Sequence, residues 1–269
     1  MAETETEESG RRRRGIYLLP NLFTTLTLFG GFYAIVAAMN GEFAKAAIAI
    51  GAAMIADSLD GLVARMTHTA SDFGKEYDSL CDMVAFGVAA SIVMYTYSLH
   101  HLAEQTQWIG GKLGWVTAFA YTSCAALRLA RFNVLAARGG TQGAFFGLPS
   151  PAAAALLVGF VWAFHEEGLK GRQLVVPAVV LTWFAAVLMV SNFRFFSIKQ
   201  LGLADRVPFR YFAIALGIAI LFLVFPTHWV VFLGFLAYAL SGPTMAAWRR
   251  FVRREAAAPV VEDREPPHV

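Results

Sequence analysis

The amino-acid sequence predicts an all-α fold, a polytopic membrane helix bundle of about eight transmembrane helices. Three observations predict it. The 269 residues are 57% hydrophobic and only 15% charged, whereas soluble domains carry about a quarter charged residues, and mean hydropathy is +0.54. Apolar windows of roughly twenty residues, long enough to cross a bilayer core as a helix, recur along the chain. The basic residues gather in alternate connections. Cys81 and Cys124 lie in apolar segments 43 positions apart and give no disulfide framework, and the six histidines form no zinc-type pair. No nucleic-acid partner is expected.

Taken in order, residues 1–14 form a tail that is acidic over MAETETEESG and basic over RRRR. It lacks apolar periodicity and is expected to be disordered; it also lacks the pattern of a cleaved secretory signal. Helices are expected over 20–39, 43–66, 74–98, 113–136, 150–167, 173–191, 209–225 and 228–247. Pro151 suits a first helical turn, where its missing N–H costs nothing. The tight Pro226-Thr227-His228 turn makes the last two helices a hairpin, within a C-terminal unit spanning 196–254. Residues 255–269, charged and Pro-containing, are expected to be a second disordered tail.

Charge placement gives the orientation. With alternate connections on alternate sides, eighteen of the 22 Lys and Arg residues share one side, and only Lys45, Lys112, Lys170 and Arg172 take the other. The positive-inside rule then puts both termini in the cytoplasm. Arg11 to Arg14 act chiefly in topology, with anionic lipid as a further contact worth about 1 kcal/mol per residue.

Four aspartates interrupt this apolar background. Asp57 and Asp60 lie one turn apart near the cytoplasmic end of the second helix, with Gly61, Ala64 and Arg65 on adjoining positions. Gly74, Asp78 and Asp82 step by four along the third. The short connection makes the two helices antiparallel neighbours, so both stripes can face each other at one depth. An Asp at the centre of a membrane helix costs on the order of 2.5–3.5 kcal/mol, and four together repel one another. Arg65 cannot balance them alone. Hard divalent cations can, and two such ions about 3.5–4 Å apart would form an in-line displacement site. Asp72 and Glu76, off this stripe, read as solvated residues. A cation pathway is the rival from another class, but the outer halves of both helices offer almost nothing charged.

The stretch DSLDGLVARMTHTASDFGKEYDSLCD has the form D-x-x-D-G-x-x-A-R, eight residues, then G-x-x-x-D-x-x-x-D. At every fixed position it resembles the signature of the CDP-alcohol phosphotransferase family, and the resemblance covers residues 15–195 as a six-helix catalytic core. Such enzymes transfer a phosphatidyl or related group from a CDP-linked lipid to an alcohol and release CMP. The resemblance implies two Mg²⁺ or Mn²⁺ ions held by Asp57, Asp60, Asp78 and Asp82, with Asp82 also the general base. Gly61, Ala64 and Gly74 would leave room for the nucleotide, with close helix packing as the alternative role of the glycines. Arg65 would hold phosphate oxygens.

Further segments, LPNLFTTLTLFGGFYA, LRLARFNV, GLPSPAAA and VSNFRFFSIK, resemble the bacterial, membrane-embedded phosphatidylserine synthases. That resemblance implies CDP-diacylglycerol and L-serine as substrates, membrane lipid as surroundings and a place in the bacterial cytoplasmic membrane; the basic-residue distribution puts the active site inside, and a homodimer is expected. Asn21 and Thr24 would help hold the nucleotide or diphosphate. Arg128, Arg131 and Asn133, with Arg194 and Lys199, would supply donors to the acceptor. Another family member accepting glycerol phosphate or inositol phosphate stays open, since these basic residues also suit a second anion. The last two helices show no catalytic-looking residues and are assigned to packing or dimerisation.

Overall fold

Small residues decide how the first helices meet. Helix α1 (Ala2–Met39) and α2 (Phe43–Met66) bury Ala34, Ala37, Ala38, Ala46, Ala47 and Ala53, and at their seam a Cβ on Gly30 would sit 2.9 Å from the Ala49 carbonyl oxygen. Without a side chain at that position the two backbones can approach closely. The computed structural model from which this geometry is taken describes residues 2–66, 71–105, 110–137, 145–195 and 225–256. Helix α3 (Asp72–Asp82) continues through a π-helical stretch, Met83–Ala89, into α4 (Ala90–Tyr97). A 3₁₀ turn at Leu99–His101 and the short α5 (Leu102–Gln105) precede α6 (Gly110–Ala137). Then come α7 (Ser150–Glu166), α8 (Val175–Val190) and α9 (Thr227–Ala256). Strands β1 (Phe145–Phe146) and β2 (Arg194–Phe195) form a two-residue antiparallel bridge.

The protein is an all-α membrane bundle. Five spans among the described residues are long and apolar enough to cross a bilayer: Asn21–Met39, Phe43–Val63, Asp72–Tyr97, Gly171–Val190 and Thr227–Trp248. Between them stand α6, which carries Arg128 and Arg131, and α7, which is 17 residues long. α7 is buried on nearly every face from Ala152 to Val161, as a helix apolar all round should be. It packs against α2, α4, α8 and α9. Both α2 and α3 pack against α1, so α1 is the common wall for the two aspartate-bearing helices.

Three expectations change. The backbone is helical from Ala2 onward, where composition predicts a disordered tail. Ala and Glu are strong helix formers, acidic residues suit a helix N-terminus, and Glu7 and Glu8 stand four residues before Arg11 and Arg12. The third helix is not one regular α-helix over 74–98: Ser71 caps it two residues earlier than expected, its side chain accepting from the Gly74 amide at 3.0 Å, and the π-helical stretch divides it. The last helix runs on to Ala256. Residues 209–224 of the helix expected over 209–225, and residues 257–269, lie outside the described residues; Phe225 forms a bend.

Candidate active site

The three-residue and four-residue steps of the signature do different jobs in three dimensions. On α2, Asp57 turns toward α3 while Asp60, one helical turn on, turns toward α1. On α3, Asp78 and Asp82 share one face. Carboxylate oxygens of Asp57, Asp78 and Asp82 all come within 4.8 Å of one another, and the three residues are half-buried. Asp60 stands outside this trio. It is only 7% exposed and accepts a hydrogen bond from the Thr24 hydroxyl of α1. Immediately after Asp82 comes the π-helical stretch, a local widening of the helix that recurs at functional sites.

Three half-buried carboxylates at such distances repel strongly unless a cation lies among them. The Oδ1 atom of Asp82 is buried and has no hydrogen-bond partner, although buried polar atoms are nearly always satisfied. Oxygen donors of this kind suit a hard divalent cation, so the residues fit one. Among the described residues, Arg128 of α6 supplies a cation nearby, and its charge acts on Asp82 and Asp57.

The other predicted residues separate. Asn21 lies beside Gly74, its Oδ1 atom 3.8 Å from where a Gly74 Cβ would be. Thr24 is buried against Asp60 rather than open toward a nucleotide. Gly61 faces open space among the described residues, with none of their atoms within 4 Å of a Cβ placed there. Ala64 and Arg65 belong to α2, but their side chains lie outside what is described. Arg128 donates to the Ser150 hydroxyl, and its Nε is buried without a hydrogen-bond partner. Arg131 donates to the Asn192 side chain at 2.8 Å and to the Val190 carbonyl at 3.5 Å, tying α6 to the end of α8. Asn133 donates to the Ser79 hydroxyl at 2.9 Å. Arg194 contributes backbone to β2, its side chain lying outside the described residues, as does Lys199.

Sequence patterns alone gave no role to Ser150, Ser79 or Tyr238. Ser150 lies within GLPSPAAA, a segment whose resemblance was visible but whose contact was not. Tyr238, on a helix assigned to packing, lies within electrostatic reach of Arg128, and its ring sits 5.6 Å from that of Phe195.

A family model described as CDP-alcohol phosphatidyltransferase matches residues 17–191. A CDP-diacylglycerol–serine O-phosphatidyltransferase of Helicobacter pylori is 38% identical over 188 residues, covering 69% of this chain and 74% of that protein. One of the same name from Methanocaldococcus jannaschii is 34% identical over 207 residues, or 77% and 85% of the two chains. Another, from Mycobacterium tuberculosis, is 39% identical over 157 residues, which is 56% of this chain and 51% of its own. The paired aspartate stripes, their convergence on one point and a match over most of the chain lead to one conclusion: this protein belongs to the CDP-alcohol phosphatidyltransferase family.

Proposed function

We propose that the protein transfers the phosphatidyl group of CDP-diacylglycerol to the hydroxyl of L-serine, giving phosphatidylserine and CMP. The observation that carries this reading is the convergence of Asp57, Asp78 and Asp82 within electrostatic reach of the Arg128 guanidinium, whose Nε is buried, in a chain whose relatives are named for that activity. Asp57, Asp78 and Asp82 would hold Mg²⁺ or Mn²⁺, with Asp60, braced by Thr24, behind them. When bound, such ions neutralise charge on the pyrophosphate and the departing CMP.

The chain's own groups do the rest. Asp82 accepts the serine proton as the serine oxygen bonds to the lipid-bearing phosphorus and the bond from that phosphorus to CMP breaks. Open space at Gly61 admits the nucleotide against α2, with Asn21 and Gly74 on the facing edge. Arg128 takes the acceptor carboxylate, for which a planar guanidinium is suited. A phosphorylated acceptor would call for several guanidinium groups. Arg131 is engaged with Asn192 and Val190, which favours serine over glycerol phosphate or inositol phosphate.

The reading includes a cytoplasmic-membrane location with both termini and the site inside, supported by the lysine and arginine distribution. It also includes a homodimer, for which the exposed Leu233, Leu240 and Trp248 of α9 offer an apolar face. Reporter fusions at each terminus and the mass of the detergent-solubilised particle test these two points.

The deciding experiment is CMP release by purified protein given CDP-diacylglycerol, Mg²⁺ or Mn²⁺, and one acceptor at a time. Release with L-serine alone is expected. Release only with glycerol 3-phosphate or inositol phosphate would keep the carboxylate site and overturn the acceptor assignment.

A further inference from the structure

The segment GLPSP is held in place more firmly than a helix start requires. Gly147 adopts a φ of +83°, a conformation side chains rarely take, and a Cβ there would collide with the Met189 carbonyl of α8. Its amide donates to the Phe193 carbonyl at 2.9 Å, and the Leu148 amide donates to the Leu188 carbonyl at 3.0 Å. The β1–β2 bridge joins the same two chain segments just upstream. Pro149 and Pro151 restrict the backbone on either side of Ser150. Ser150 is the first residue of α7 and is 0% exposed.

All this fixes one hydroxyl, and that hydroxyl receives a hydrogen bond from Nη1 of Arg128. The guanidinium is then held at one end, while its Nε is buried without a hydrogen-bond partner. Asp82 and Asp57 lie within electrostatic reach on one side, and the phenols of Tyr121 and Tyr238 complete the set of titratable groups that act on it. Tyr121 is committed elsewhere, donating to the Phe86 carbonyl at 3.1 Å. An arginine that binds a carboxylate through two parallel N–H bonds must present a fixed plane, and misplacement by about 1 Å can cost on the order of a hundredfold in rate.

We propose that Ser150 is a positioning residue for the acceptor: it fixes the plane of the Arg128 guanidinium so that the Nε edge meets the carboxylate of the incoming amino-acid alcohol. The inference rests on the acceptor role given to Arg128 above. It adds that α7, through the GLPSP segment, sets acceptor selectivity.

The test is steady-state CMP release by the full-length protein in mixed micelles, varying L-serine and CDP-diacylglycerol separately. Ser150→Ala is expected to raise the KM for L-serine roughly tenfold and to leave the KM for CDP-diacylglycerol within about twofold, the size of effect expected for losing a hydrogen bond to a charged group. Ser150→Thr should restore the L-serine KM, while its isostere Ser150→Val should not. That pair keeps the comparison available if Ser150→Ala does not fold. Arg128→Lys runs alongside and should also raise the L-serine KM. If Arg128→Lys raises it and the Ser150 variants do not, the Ser150 proposal falls and the reading of Arg128 stands. If Arg128→Lys leaves it unchanged, the acceptor role of Arg128 falls and the proposal falls with it. Equal rises in both KM values for Ser150→Ala would mean a general packing role and would also overturn the proposal.

Discussion

On the proposed reading, Asp82 is the residue on which the chemistry turns, because it would combine two roles, metal ligand and general base, that pull on the same carboxylate. It belongs to the trio within 4.8 Å, and one of its oxygens is buried without a hydrogen-bond partner. Replacement by Asn keeps the shape and removes the base. Asp82→Asn is expected to lower CMP release by roughly 10²–10⁴-fold while equilibrium binding of labelled CDP-diacylglycerol persists. An active Asp82→Asn enzyme would sink the assignment. The signature made the four aspartates legible as a group, since spacing by three and four is a statement about helix faces. Spacing could not show that Asp60 turns to Thr24, because the partner lies 36 residues away on another helix.

Between elements, glycine has two uses here, and two substitutions separate them. A Cβ on Gly31 would overlap the backbone of Ala85, where α1 meets the π-helical stretch. Gly31→Leu is therefore expected to destabilise the fold by roughly 1–3 kcal/mol through overpacking, read as a lower melting midpoint in detergent. Gly61 faces open space. Gly61→Leu should leave the melting midpoint unchanged and raise the KM for CDP-diacylglycerol. A lowered midpoint for Gly61→Leu with no change in KM would return that glycine to a packing role. Helix positions were legible because twenty-residue apolar runs have few other solutions in a bilayer. The π-helical stretch was not, since apolar residues on every side leave no periodicity in which an extra residue would show.

The C-terminal helix shows what the whole molecule adds. α9 reads as an outlying arm of a hairpin, yet Phe232 packs against Gly159 of α7, Ala239 is fully buried, and Trp229 donates to Glu167 at 2.8 Å. Tyr238 meanwhile lies within electrostatic reach of Arg128. A chain ending before Thr227 would uncover this side of α7 and is expected to lose folded yield in size-exclusion chromatography; normal yield and activity would make α9 dispensable. On the proposed reading, metal dependence is also a property of the assembled bundle. Chelation with EDTA should stop CMP release, Mg²⁺ or Mn²⁺ should restore it, and the helical circular dichroism should not change, because buried alanines and glycines hold the helices together. Activity that survives exhaustive chelation would remove the ions from the reading.

By itself the sequence determined the membrane class, most helix positions and the four-aspartate signature, because each is written in local order: hydropathy over a window, charge between windows, residues one turn apart. Only the tertiary structure decided which three carboxylates meet, that Asp60 braces against α1, and that Arg128 rests on a serine from α7. Across helices, those contacts join residues 21 to 36 positions apart. Their partners are chosen by how the helices pack, and no window of the sequence contains both sides of the choice.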